Sequence, residues 1–165
     1  TMADVWGRMA LRLANAELHP FDQPGYADRV ARFVDDLARV EGVAGHLDLA
    51  PLRQAVTDWR RAAGQFAARS AAALTATGPD RARRLDQLNA VQRQVERLFI
   101  LPDGLPGRPW FRHALYAPKY TYAAMEFPGV RGAVDQGRWD EAGRELGRLV
   151  DRVRAVTAAL AGGER

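Results

Sequence analysis

The segment LRQAVTDWRRAAGQF, residues 52–66, places its large apolar side chains at helical spacing. Intervals of three and four residues bring such side chains onto one face of an α-helix. Asp48 is a suitable N-cap, and Pro51 fits the first turn, where its missing N–H removes no helical hydrogen bond. We therefore predict a long helix that begins near Asp48 and ends at the TGPD break, residues 77–80. Its core-facing stripe consists of Leu52, Val56, Trp59, Ala63 and Phe66.

Other long segments repeat this pattern, and none alternates with a period of two, so no strand is predicted. A short helix is expected at 128–135, with Pro128 in its first turn. Asp140 and Glu141 suit the positive N-terminal end of the last helix. The other long segments run from Val5 to about residue 19, from about 24 to 41, from Leu85 to Phe99 and from Trp139 to Leu160.

Long amphipathic helices joined mostly by short breaks favour an all-α fold, an up-down four-helix-type bundle. The exception is a long, ordered, proline- and aromatic-rich loop between the last two long helices. Trp6 and Trp139 lie on helical stripes and are predicted to be core residues, as Trp59 is. The predicted core consists of Phe33, Leu37, Val56, Trp59, Phe66, Leu88, Val95, Leu149 and Val153.

Length and composition indicate one globular domain over residues 1–165, with no apolar run long enough to span a bilayer. The net charge is +4, the pI is about 10.1, and Lys119 is the only lysine beside many arginines. The arginines are interleaved with Asp and Glu along every helix, so we expect solvated helix faces and no nucleic-acid partner. A stand-alone basic helical bundle that binds nucleic acid or another protein is the alternative.

The residues that could carry chemistry are scattered. His19, His46 and His113 lie far apart, and none belongs to a metal-ligand pair such as H-x-x-x-H. Cysteine is absent, and the single serine, Ser70, lies in an alanine-rich helix with no nucleophile elbow. We predict no catalytic residue, no metal site and no cofactor in this chain.

The stretch LPDGLPGRPWFRHALYAP, residues 101–118, cannot be helical, because it contains four prolines and two glycines. Long loops in compact domains are usually functional. We expect residues 101–127 to form an ordered loop over one end of the bundle. Its rings are predicted to point inward and its polar groups to lie near the surface. The rings are Trp110, Phe111 and Tyr116, and the polar groups are Arg112, His113, Lys119 and Tyr122.

The segment LNAVQRQVERLFILPDGLPGRPWFRHALYAP, residues 88–118, followed by FPGV at 127–130, resembles the C-terminal helical domain of the transferrin receptor and glutamate carboxypeptidase II family. LRLANAELHPFD, residues 11–22, resembles the beginning of that domain. The resemblance implies a homodimerising bundle that packs on a zinc peptidase domain of the same parent chain. The zinc and its ligands would lie in that peptidase domain, and this chain would be an excised piece of a bacterial-type member.

The resemblance also implies roles for the loop. In the carboxypeptidase branch this loop supplies a Lys-Tyr pair to the substrate pocket. Counting back from Phe127, the tyrosine falls on Tyr122 and the lysine position on Thr121, with Lys119 as a possible substitute. The residues expected to contact the neighbouring domain are Arg108, Trp110, Arg112, His113 and Tyr116.

Overall fold

The computed structural model describes residues 1–119 and 123–162, and its architecture is all-α, as predicted. Four long helices form the bundle, with α4 packed against α2, α5 and α7. A first helix, α1, precedes the bundle, and two short helices, α3 and α6, lie between the long ones. The helices are α1 Met2–Ala14, α2 Gln23–Ala38, α3 Val43–His46, α4 Ala50–Thr75, α5 Arg81–Leu98, α6 Pro128–Val134 and α7 Trp139–Ala161.

Helix α4 confirms the stripe that residues 52–66 predict. All five apolar residues of that stripe are buried, and Trp59 has no exposed surface. The N-cap is Leu49 rather than Asp48, although Oδ1 of Asp48 still accepts a hydrogen bond from the backbone N–H of Ala50 at 2.9 Å. The side chain therefore satisfies one free donor of the first turn from one position further out.

The predicted core is buried except for Phe33, which is half-buried. Phe33 lies at the edge of the core, where its ring meets those of Tyr116 and Phe127 edge-on at centroid distances of 5.8 and 6.1 Å. Trp139 is also half-buried and stacks on His46 at 4.2 Å. The rings of Phe33 and Trp139 therefore pack at the edge of the core and not in its centre.

Trp6 is not a core residue, and that prediction is wrong. Helix α1 ends at Ala14 instead of near residue 19, contains no buried residue, and leaves Trp6 67% exposed. The apolar stripe of α1 is real, but the helix does not fold back onto the bundle. A stripe shows that one face of a helix is apolar, and it does not show what covers that face.

The prediction that the chain has no strand is also wrong in detail. Strands β1 (Tyr116–Pro118) and β2 (Ala124–Glu126) form a small antiparallel pair in which Ala117 faces Met125. Strands of three residues are too short to show an alternating pattern. Helix α6 follows at once and begins at Pro128, as predicted, after Phe127, whose φ of 47° places it in the left-handed region.

Candidate functional site

The loop between α5 and α6, residues 101–127, is tied together by main-chain hydrogen bonds. We call it the connecting loop. Leu101 N–H donates to the Arg112 carbonyl at 2.7 Å, and Leu105 N–H donates to the Phe111 carbonyl at 2.9 Å. Further along, Phe127 N–H donates to the Leu115 carbonyl at 2.9 Å. Leu101, Leu105 and Leu115 are buried beneath the loop. The described part of the loop, 101–119 and 123–127, is therefore ordered over the bundle, as predicted.

Gly104 allows the loop to turn back on itself. Its φ is +71°, and a Cβ atom at this position would collide with the backbone of Pro109. Gly107 has a similar φ of +69°, but nothing lies within 4 Å of the position its Cβ would take. Gly104 is thus required both by backbone conformation and by close approach, and Gly107 by conformation alone.

Glu96 of α5 joins the connecting loop to α2. Its Oε1 lies 3.0 Å from Nε2 of His113, and its Oε2 accepts a hydrogen bond of 3.1 Å from the Tyr26 hydroxyl. The contact with His113 lowers the pKa of Glu96, against the opposing effect of partial burial. Burial raises the pKa of Tyr26, and the nearby Glu96 charge adds to that shift. The phenol therefore stays neutral and acts as a donor.

The two ring nitrogens of His113 face different groups of the domain. Nδ1 accepts a hydrogen bond from the Leu115 N–H at 3.2 Å, so in this arrangement the ring proton belongs on Nε2, which faces Glu96. The His113 side chain is mostly buried and stacks on Tyr116 at 5.9 Å. We predicted that His113 would lie near the surface. Instead its side chain is mostly buried and contacts Glu96, which connects the loop to helix α5.

Arg108 and Tyr116 are also engaged within the domain. The Arg108 guanidinium donates from Nη1 to the Pro118 carbonyl at 2.9 Å and lies over the Phe111 ring at 5.6 Å. Tyr116 is half-buried against Phe33, and burial raises its pKa. Phe111 packs partly against the core, as expected. These side chains make contacts within the domain that shape the loop.

Trp110 points outward and is 69% exposed, so the prediction that it points inward is wrong. It follows Pro109, whose backbone lies against Gly104 in the turn. Arg112, two residues on, is exposed as expected. Trp110 and Arg112 are therefore among the exposed residues of this segment that a neighbouring domain can reach.

Lys119 is held by Asp135 at the end of α6. Its Nζ lies 3.2 Å from Oδ2 of Asp135, and Nε of Arg131 lies 3.0 Å from Oδ1. Burial opposes ionisation of Asp135, but the hydrogen bonds from Arg131 and Lys119 outweigh it and lower the carboxyl pKa. Thr121 and Tyr122, the other two residues expected to meet substrate, lie outside the described residues.

A family model for the transferrin receptor-like dimerisation domain matches residues 47–161, which include α4, α5, the connecting loop, α6 and α7. The chain belongs to this family.

Curated relatives extend the match toward the first helix. A probable glutamate carboxypeptidase of Arabidopsis thaliana is 30% identical over 98% of this chain, and a second from the same plant is 27% identical over 98%. Each match covers 24% of the relative's own length, so this transferrin receptor-like domain spans about a quarter of those proteins. An inactive zinc metalloprotease of Schizosaccharomyces pombe is 24% identical over 90% of the chain and 20% of its own length.

No group of three or more His, Asp or Glu side chains that could hold a metal ion occurs within residues 1–119 and 123–162. His19 lies beside Arg93, His46 stacks on Trp139, and His113 faces Glu96. The described residues of this transferrin receptor-like domain therefore offer no donor set that fits zinc. In the same residues, no helix is both long and apolar enough to cross a bilayer.

Many of the arginines that make this domain basic are paired with carboxylates. Many arginines lie within salt-bridge distance of a carboxylate, which in most of these pairs is three or four residues away in sequence. Such pairing breaks up the continuous positive stripe that nucleic-acid binding requires. The absence of a nucleic-acid partner stays a prediction, and a steep salt dependence of DNA binding would contradict it. The paired arginines are Arg39, Arg53, Arg60, Arg61, Arg81, Arg83, Arg131, Arg138 and Arg148.

Proposed function

We propose that this chain is the non-catalytic dimerisation domain of a longer, glutamate carboxypeptidase-like zinc peptidase. In the parent it forms a homodimer, packs on the peptidase domain, and presents the connecting loop to the substrate pocket. The family match over residues 47–161 is the observation that carries the proposal. The names of the Arabidopsis relatives, probable glutamate carboxypeptidases, support the class of parent.

The zinc and the hydrolytic chemistry are assigned to the parent's peptidase domain. The described residues of this chain supply no cluster of metal ligands, and Glu96, His113 and Asp135 are each engaged in holding the loop. This chain therefore contributes position and contact rather than a reacting group. The fission-yeast relative that is named inactive indicates that the domain can accompany a parent without hydrolytic activity.

The connecting loop has a fixed inner side and an exposed outer side, which is what a contact between domains requires. Its inner side is fastened by Glu96 and by the buried leucines, so that little entropy is lost when the outer side meets a partner. Trp110 and Arg112 are exposed on the outer side, and tryptophan and arginine are the residues most enriched at interface hot spots. We assign these two residues to the contact with the peptidase domain.

Lys119 reaches the same end of the domain but is paired with Asp135. A pairing of this kind fixes the ammonium group in place and reduces its availability to a second anion. We therefore assign the substrate carboxylate contact to Tyr122 rather than to Lys119, with Thr121 beside it. A single tyrosine hydroxyl binds a glutamate carboxylate less tightly than a free Lys-Tyr pair does.

The test is the Tyr122→Phe substitution in the full-length parent. We expect KM for a peptide with a C-terminal glutamate to rise by about tenfold, as loss of one hydrogen bond to a charged group implies. Tyr120→Phe is the matched control, because the resemblance gives that position no contact with substrate. Equal kinetics for wild type and Tyr122→Phe would refute the pocket assignment and leave the dimerisation role untouched.

A further inference from the structure

A cavity of about 390 Å³ lies between the segment that leads into α2 and the last two turns of α5. This volume is within the range of small-molecule sites in proteins. Phe21 and Val95 supply apolar surface to its walls. The remaining walls include two glutamine amides and two carboxylates, which is the mixture of apolar surface and a few polar groups that ligand sites have.

The two glutamines that line this cavity are buried without complete hydrogen bonding. Gln23 begins α2 and Gln92 lies on α5, and each is only 4% exposed. Among the described residues, neither side-chain oxygen Oε1 has a hydrogen-bond partner. Buried polar atoms are nearly always hydrogen-bonded, because leaving one without a partner is unfavourable. Two such oxygens beside one cavity indicate that a hydrogen-bond donor binds there.

Both oxygens are shielded from solvent in this structure, so each amide has to turn before it meets a donor in the cavity. The last torsion of a glutamine side chain is broad, and such a turn needs no movement of the backbone. Side-chain rotations of this kind are common when a ligand binds. The amides of Gln23 and Gln92 therefore can serve as acceptors for a bound donor.

The cavity is acidic although the domain is basic. Asp22 and Glu96 both line it, and none of the described residues that line it is Arg or Lys. The His113 contact lowers the pKa of Glu96, so this carboxylate is charged near neutral pH. Oε2 of Glu96 accepts the Tyr26 hydroxyl, and a carboxylate oxygen can accept a second hydrogen bond. The charges at the cavity thus favour a cationic donor.

The helix ends beside the cavity also favour a cation over an anion. Free N–H groups at the start of a helix attract anions. Here the N–H of Gln23 already donates to the Phe21 carbonyl at 3.1 Å, and that of Gly25 to Oδ1 of Asp22 at 2.9 Å. Glu96 lies in the last turn of α5, which is the negative end of that helix.

We propose that this cavity binds a small organic cation, an ammonium ion with an apolar body. The ammonium group donates hydrogen bonds to Glu96 and to the amide oxygens of Gln23 and Gln92. The apolar body lies against Phe21 and Val95. The Phe21 ring is 56% exposed, and an aromatic ring beside a cation adds cation–π attraction. The site lies within this chain, so the proposal does not depend on the proposed function.

The experiment titrates this chain with phenethylamine, which is cationic near neutral pH, and with phenethyl alcohol, which has nearly the same shape and no charge. Binding is followed through the NMR shifts of the backbone amides. We expect a Kd of about 1 mM or lower for the amine and a value about tenfold higher or more for the alcohol, because hydrogen bonds from a charged group are stronger. The largest shifts should fall on residues 20–26 and 92–96.

The amine and the alcohol are compared on the wild-type chain, so this test needs no variant. Absence of saturable binding of the amine would overturn the proposal. Equal affinity for the alcohol would also overturn it, because it would show that charge is not recognised. Shifts spread over the surface of the domain, with no concentration around the cavity, would be a third contradiction.

Gln92→Leu separates binding from stability. Leucine occupies the same buried position without an unpartnered oxygen, so the melting temperature should stay the same or rise. The Kd for phenethylamine should rise about tenfold, because one acceptor for the ammonium group is lost. Gln94→Leu, on the exposed surface of the same helix, is the matched control and should leave the Kd unchanged. If both variants bind the amine equally well, the inference is wrong.

Discussion

Nε2 of His113 lies 3.0 Å from Oε1 of Glu96, and this contact joins the connecting loop to helix α5. The same carboxylate accepts the Tyr26 hydroxyl of α2, so three separate parts of the chain meet at one side chain. A loop that is otherwise rich in proline and glycine is thereby held in one position relative to the bundle. The contacts of Glu96 thereby help to fix the position of the exposed residues on the outer side of the loop, Trp110 and Arg112.

Replacing Glu96 should loosen the loop. Glu96→Ala is expected to lower the free energy of unfolding by about 1 kcal/mol, less than a buried hydrogen bond to a charged group contributes, because the Glu96 side chain is 60% exposed. Chemical denaturation of the chain measures the change. Asp86→Ala, which removes an exposed carboxylate from the same helix, is the control and should be close to neutral. Equal effects of the two substitutions would show that the His113 contact does not stabilise the fold.

The loss of fold stability at acidic pH should depend in part on Glu96. Its pKa in the folded protein is lowered below the ordinary value of 4.5, chiefly by the His113 contact, so folding favours the ionised form. The stability that this contact provides is present above pH 4.5 and is lost as the pH falls through the lowered pKa. As the pH falls below 4.5, the melting temperatures of wild type and Glu96→Gln should therefore approach each other. A stability difference that stays constant down to pH 2 would contradict the assignment.

The two left-handed glycines of the loop should respond differently to alanine. Gly107→Ala is expected to cost about 1–2 kcal/mol, the cost of a left-handed conformation for a residue with a Cβ. Gly104→Ala should cost clearly more, because its Cβ would also collide with the backbone of Pro109. Thermal or chemical denaturation of the two variants measures this difference directly. If Gly104→Ala were no worse than Gly107→Ala, the loop would not turn as described.

Replacing Trp59 and replacing Trp110 should have very different effects on the free energy of unfolding. Trp59 is fully buried, and Trp59→Ala is expected to cost about 3–5 kcal/mol. Trp110 is 69% exposed, and Trp110→Ala should change the free energy of unfolding of this chain by less than about 0.5 kcal/mol. Denaturation of the two variants under one condition tests both values. A large loss of stability for Trp110→Ala would show that its ring packs inward after all.

The helical part of the fold could be predicted because its signal is local. Leu52, Trp59 and Phe66 lie on one face of one helix, and each is buried by the helices packed against α4. Periodicity reports such a face reliably when the helix lies inside the bundle. The same pattern misleads at Trp6, because none of the described residues buries a side chain of α1. The three-residue strands and the four-residue α3 are too short to show a period at all.

The candidate site was harder to predict, because it depends on distances between parts far apart in sequence. Nothing local says that His113 meets Glu96, although both belong to the stretch that carries the family resemblance. The prediction for Trp110 was wrong because the hydrophobicity of the side chain favours burial, whereas the structure leaves the ring 69% exposed. The pairing of Lys119 with Asp135 follows from how α6 is oriented after Phe127, which the sequence pattern does not specify.

The most direct test of the dimerisation role is the mass of the full-length parent in sedimentation, with and without residues 47–161. We predict that the intact parent sediments as a dimer at micromolar concentration and that the shortened parent sediments as a folded monomer. Circular dichroism and the zinc content of the shortened parent confirm that its peptidase domain is intact. An intact parent that is monomeric, or a dimer that survives the deletion, would contradict the account.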